Sequence, residues 1–124
     1  MKYSIYLNES RDSFFGFDPD NAELRFANSV DLEGVVHENL ENIFDQLNIG
    51  GDLIPHSDLS RRYREDGNRS LSKGDVISVS SYDSGPRFYA VAGSGYREID
   101  SNAFVAAQRR YNVSLLEALA GGPR

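Results

Sequence analysis

The stretch RSLSKGDVISV, residues 69–79, decides how this chain is read. A polar approach, Ser70-Leu71-Ser72, leads through Gly74 and Asp75 into the β-branched run Val76, Ile77 and Val79. Runs of that kind bounded by glycine, serine and aspartate are strands entered from a turn. Ser70 or Ser72 can close a serine turn onto backbone amides, Gly74 allows a positive φ, and Asp75 can accept hydrogen bonds from the turn it leaves. We therefore expect a strand entrance held by side-chain-to-backbone hydrogen bonds rather than a ligand loop.

On the N-terminal side, KYSIYLN sets Tyr3, Ile5 and Leu7 against Lys2, Ser4, Tyr6 and Asn8, the period of a half-buried strand. The segment Asp18-Pro19-Asp20-Asn21 is a turn, and Leu24, Phe26 and Val30 predict a second strand with these three on one side. The period then becomes helical. Val36, Leu40, Ile43, Phe44 and Leu47 form one apolar stripe, which predicts a helix over 32–48, capped by Asp31 and ended by Gly50-Gly51. Residues 49–68 are irregular, punctuated by Pro55 and Gly67, with a short helical turn at 58–63.

On the C-terminal side, VISVSS and RFYAVAG predict a hairpin, and Tyr96 to Ile99 a further short strand. Asp100 or Ser101 then caps a helix with the stripe Phe104, Ala107, Tyr111. The capping-box pattern Ser114-Leu115-Leu116-Glu117 predicts a break near Asn112, a new short helix, and a frayed end at the last five residues. The whole, residues 1–124, reads as a single α+β domain. It has a mostly antiparallel sheet of four to six strands, a central helix packed on one face, and a C-terminal helix closing it.

The chemistry in the sequence is sparse. With no cysteine, thiolate zinc sites, disulfides and cysteine nucleophiles are excluded. The two histidines, His37 and His56, have no metal-binding spacing, so no metal and no cofactor are expected. Gly93-Ser94-Gly95 has neither the spacing of a phosphate loop nor that of a nucleophile elbow. The pairs Asp18/Asp20 and Glu65/Asp66 lie in loops, and nothing in the pattern buries either pair in the differing environments that acid and base roles require. No catalytic residue is singled out, and a non-enzymatic protein is expected. The formal net charge of −6 disfavours broad affinity for nucleic acid or anionic membrane. The polar start and the lack of a long apolar run place the chain in the cytoplasm, away from membrane. Arg61, Arg62 and Arg64, with Tyr63 among them, form a local basic cluster and the candidate binding surface.

Three motifs in order give a resemblance. Leu40, Glu41, Phe44 and Asn48 come first; then Ser70, Leu71, Ser72, Asp75, Val76 and Ile77; then Tyr89, Gly95 and Tyr96. This pattern, over about 35–100, resembles the YodL-domain family. The chain departs from it in a longer 49–68 segment and in Ala92, where members often carry an aspartate. The resemblance implies a small α+β accessory protein of a bacterial phage or mobile element, acting by binding a host or element-encoded protein. A second resemblance, confined to Gly74-Asp75-Val76-Ile77, is to ASCH and other PUA-like domains, and it implies RNA binding.

Overall fold

The computed structural model describes residues 1–48, 58–81 and 83–121. Gly50, Gly51, Pro55, His56 and the end of the chain at 122–124 lie outside the described residues.

The strands β1 (Lys2–Asn8), β2 (Leu24–Asp31), β3 (Val76–Ser80), β4 (Arg87–Val91) and β5 (Tyr96–Ile99) make one sheet in the order β2-β1-β3-β4-β5, with every neighbouring pair antiparallel. Helices α1 (Val36–Asn48) and α2 (Asp58–Glu65) pack on one face and α3 (Ser101–Ala120) on the other. The chain is thus the expected single α+β domain, with a central helix and a C-terminal helix on an antiparallel sheet. Alternation assigns the faces. Tyr3, Ile5 and Leu7 of β1 meet Leu40, Ile43 and Leu47 of α1, while Tyr6 on the reverse face meets Phe104 of α3. Burying each such large apolar side chain contributes roughly 1.5–3 kcal/mol.

Four features differ from the sequence reading, the simplest being that α2 runs on past Tyr63 to Glu65, which is helical rather than in a loop. Asp31 is the last residue of β2, opposite Lys2, and α1 begins only at Val36, after Gly34 has turned the chain at φ +103°. Pairing with β1 holds residues that their own pattern would have released to the helix. In β2 the register slips between Ile5 and Tyr6 of its partner, skipping Ala27. A bulge of this kind reverses the facing of everything beyond it. Phe26 therefore lies beside Tyr6 on the α3 face, whereas Val30 joins the α1 face. Finally, α3 is continuous from Ser101 to Ala120 with Asp100 as N-cap, its carboxylate accepting from the Asn102 amide at 2.9 Å. The predicted break near Asn112 does not occur. Carrying the helix through Asn112 and Val113 costs only tenths of a kcal/mol per residue, less than leaving two new helix ends unsatisfied.

Candidate functional site: a locked turn and the surface it presents

Asp75 stands at the mouth of β3 and is fully buried. Its Oδ1 accepts from the Asn8 amide at 2.7 Å and from Arg69 Nη2 at 2.8 Å. Its Oδ2 accepts from the Ser72 amide at 2.7 Å and from Arg69 Nη1 at 2.8 Å. The ion pair is bidentate and charge-assisted, the strongest form of carboxylate recognition. Arg69 also reaches the carbonyls of Asn8 (2.9 Å) and Ser70 (3.1 Å) and Ser72 Oγ (3.2 Å). The carboxylate hydrogen-bonded to it holds the Arg69 guanidinium above its already high ordinary pKa.

Asn8 completes the lock. Its side-chain amide donates to the Gly74 carbonyl at 3.1 Å, and its oxygen accepts from the amides of Ser10 and Glu23. The backbone at Gly74 and Asp75 exchanges bonds with Val91 at 2.9 and 2.8 Å. The carboxylate thereby ties the end of β1 and the Arg69–Ser72 segment to the start of β3, while the Asn8 side chain adds the approach to β2 and the backbone of Gly74 and Asp75 adds the end of β4. The amide of Ser72 bonds to the carboxylate, so the turn is closed by Asp75 and not by a serine hydroxyl. A carboxylate has about four acceptor positions. Here they are filled by the protein itself, which leaves Asp75 no vacancy for general acid–base work.

Gly74 (φ +94°) carries the consequence outward. A Cβ on it would lie 2.6 Å from the Ser13 carbonyl oxygen and 3.2 Å from the Gly16 carbonyl carbon. The 3₁₀ turn Ser13–Phe15 is seated directly on the locked turn. That turn presents Phe14 and Phe15, which are 65% and 73% exposed, with ring centroids 4.1 Å apart. Beside them is a recess of about 290 Å³ lined by Phe15, Phe17, Lys73 and Arg97 and by the end of β4, with no carboxylate in its wall. Arg97 is anchored to the Phe17 carbonyl at 3.2 Å; among the described residues Lys73 has no hydrogen-bond or ion-pair partner.

Four other motif residues, Glu41, Phe44, Gly95 and Tyr96, meet at a second recess of about 280 Å³, which Asp45 and Ala92 also line. Tyr96 donates to the Leu40 carbonyl at 2.8 Å, and burial, then the charges of Asp45, Asp75 and Glu41, push its hydroxyl pKa up. Ala92 borders both recesses, so a cationic and an acidic hollow adjoin at the end of β4. Leu71 is in the core, and Ser70 and Ser72 are exposed.

The arginine cluster is placed differently. Arg61, Arg62 and Arg64 point outward from α2, and Arg61 pairs with Asp58 at 2.7 Å with both side chains well over half exposed. Arg62 Nε approaches the Asp58 carbonyl at 3.4 Å. Tyr63 does not belong to that surface and is withdrawn from it: with Leu59 it forms the inner face of α2, 1% exposed in the main core. Their i,i+4 spacing was the available signal. Burial, then the Asp75 charge, push the Tyr63 hydroxyl pKa up, and among the described residues that hydroxyl has no hydrogen-bond partner. Tyr89 is likewise buried and Tyr6 half-buried. Sequence reasoning missed Asn8, Arg69, Phe14, Phe15, Lys73 and Arg97. Only the Phe14-Phe15 pair left a local trace, since adjacent aromatics on a three-residue turn cannot both face the core.

Among the described residues no helix is long and apolar enough to cross a membrane, and no three histidine or carboxylate side chains gather as a metal site. Comparison with known proteins finds no matching family model, no matching curated protein and no matching solved structure.

Proposed function

We propose that this chain is a non-enzymatic accessory module that works by binding another protein, and that Phe14 and Phe15 are the centre of its contact surface. The observation that carries the reading is the aromatic pair itself, two large apolar side chains held in solvent on a turn that Gly74 seats against a locked platform. Exposed aromatics contribute most of the energy at protein interfaces, and presenting them rigidly lowers the entropy lost on binding. Lys73 and Arg97 beside the pair give the partner its chemistry: an apolar segment flanked by a carboxylate. The YodL-like motifs supply the setting, a phage or mobile element whose product engages a host or element-encoded protein. Arg61, Arg62 and Arg64 would extend the contact as an outer charged surface.

The test is affinity capture from bacterial lysate, with and without nuclease, using the wild-type chain and the Phe14→Ser/Phe15→Ser variant as baits. The expected result is a discrete protein that survives nuclease and is lost by the variant, while the variant melts as the wild type does. Identical capture by both baits contradicts the assignment of the surface. Capture of nucleic acid that nuclease abolishes would favour the PUA-like, RNA-binding reading.

A further inference from the structure

Lys73 and Arg97 line the recess beside Phe15 without an internal counterion. Three acids lie within two residues of the recess lining along the chain, and all three are spent elsewhere. Asp75 closes on Arg69. Asp18 accepts from the Asp20 amide at 3.0 Å and from the Asn21 side chain at 2.7 Å. Glu98, opposite Tyr89 and so on the α1 face of the sheet, has both its oxygens held by Arg87 at 2.8 and 2.9 Å.

Two unneutralised cations therefore share one recess in a chain whose net charge is −6. A cleft lined by one sign of charge concentrates the opposite sign. Both cations are also held in place. Arg97 uses one of its donors on the Phe17 carbonyl, which fixes the guanidinium and leaves the rest of its fork for an oxyanion. The stem of Lys73 lies against Gly16, where a Cβ would stand 3.6 Å from Lys73 Cε.

The remaining walls decide what carries the anion. They are apolar: Phe15, Phe17, Ala90 and Ala92. A carboxylate takes roughly the 60 Å³ of a pair of waters, so most of the 290 Å³ is left for an apolar body. An internal aspartate or glutamate brings its carboxylate on a bare methylene stem. The last residue of a polypeptide brings both parts, because its side chain and its terminal carboxylate leave the same Cα. We infer that the recess seats the C-terminal residue of the partner protein, an apolar residue whose free carboxylate lies between Lys73 and Arg97. The residues before it lie over Phe15 and Phe14. This rests on the reading of the aromatic pair as a protein-contact surface, and it names the part of the partner that surface takes. The size agrees, since 290 Å³ is at the lower end for ligand pockets and suits one residue rather than a longer stretch.

Amide NMR titration of the full chain at neutral pH, with N-acetyl-leucine, N-acetyl-leucinamide and acetate as probes, tests the seat. N-acetyl-leucine should shift the amides of Gly16, Phe17, Ala92 and Arg97 with a Kd on the order of a few mM. The amide, which lacks the charge, and acetate, which lacks the apolar body, should each bind about tenfold more weakly. Lys73→Glu loses no internal bond, so it should melt as the wild type does and no longer respond to N-acetyl-leucine. No response at 20 mM, roughly tenfold above that Kd, overturns the inference. So does equal binding of the acid and the amide, or acetate binding as tightly as N-acetyl-leucine. With Lys73→Glu added as a bait, the capture experiment separates this inference from the reading beneath it. A partner lost by Phe14→Ser/Phe15→Ser yet kept by Lys73→Glu overturns the seat and leaves the contact surface standing.

Discussion

Arg69 and the trio Arg61, Arg62 and Arg64 lie in one nine-residue stretch, yet the structure uses them in opposite ways. The guanidinium of Arg69 closes bidentately on a carboxylate with no solvent exposure, whereas Arg61 meets an Asp58 side chain that is 78% exposed. The first pair joins the end of β1, the turn at 69–72 and the start of β3; the second lies on the surface of a helix. What separates them is the partner's surroundings. Asp75 has no water to return to, so its bonds to Arg69 and to two backbone amides cannot be traded for hydration. Density of charge in the sequence marked the exposed trio, and it passed over the arginine that holds the turn.

The largest effect that would break this contrast is at Asp75. Asp75→Ala removes the acceptor for Arg69 and for the Asn8 and Ser72 amides, and should cost about 3–5 kcal/mol in urea denaturation. A midpoint close to wild type would show that water replaces the carboxylate easily. Gly74→Ala comes next. The new Cβ must displace the Ser13 carbonyl and adopt a left-handed φ, at about 2 kcal/mol, and it should also loosen the Phe14-Phe15 turn. Hydrogen exchange at residues 13–17 would report that loosening.

Smaller effects sharpen the account of α2. Tyr63→Phe deletes a buried hydroxyl that has no partner among the described residues, so thermal unfolding should shift upward, by about 0.5–1 kcal/mol. A clear loss of stability would reveal a bonded hydroxyl. The triple change Arg61→Ala/Arg62→Ala/Arg64→Ala should leave stability within about 0.5 kcal/mol of wild type, as exposed charges usually do. A larger loss, measured the same way, would place the trio among the structural residues.

The sheet was legible because period-two alternation survives wherever a strand is sandwiched: Tyr3, Ile5 and Leu7 named their face correctly, and so did the hairpin of β3 and β4. Legibility failed where a residue's neighbours across the sheet overrode its neighbours along the chain. Asp31 was read as a helix cap because nothing local announces its pairing with Lys2. Val30 was assigned to the wrong face because the bulge at Ala27 has no composition of its own. At the candidate site the turn chemistry of Gly74 and Asp75 could be read locally, but Asn8 comes from 67 positions away. Arg69 was hidden for the opposite reason, being close in sequence yet indistinguishable in type from the exposed arginines before it. Phe14 and Phe15 were passed over as ordinary apolar residues. Their adjacency on a three-residue turn was the available sign that both could not face the core.

The central claim, that Arg69 and Asp75 act as one structural unit, is tested most directly by a double-mutant cycle. Urea denaturation of wild type, Arg69→Ala, Asp75→Ala and the double variant gives the coupling between the two side chains. The account predicts coupling of about 2 kcal/mol, the double variant being much less destabilised than the sum of the single variants. Losses that simply add would mean that the two side chains act independently, and would contradict it.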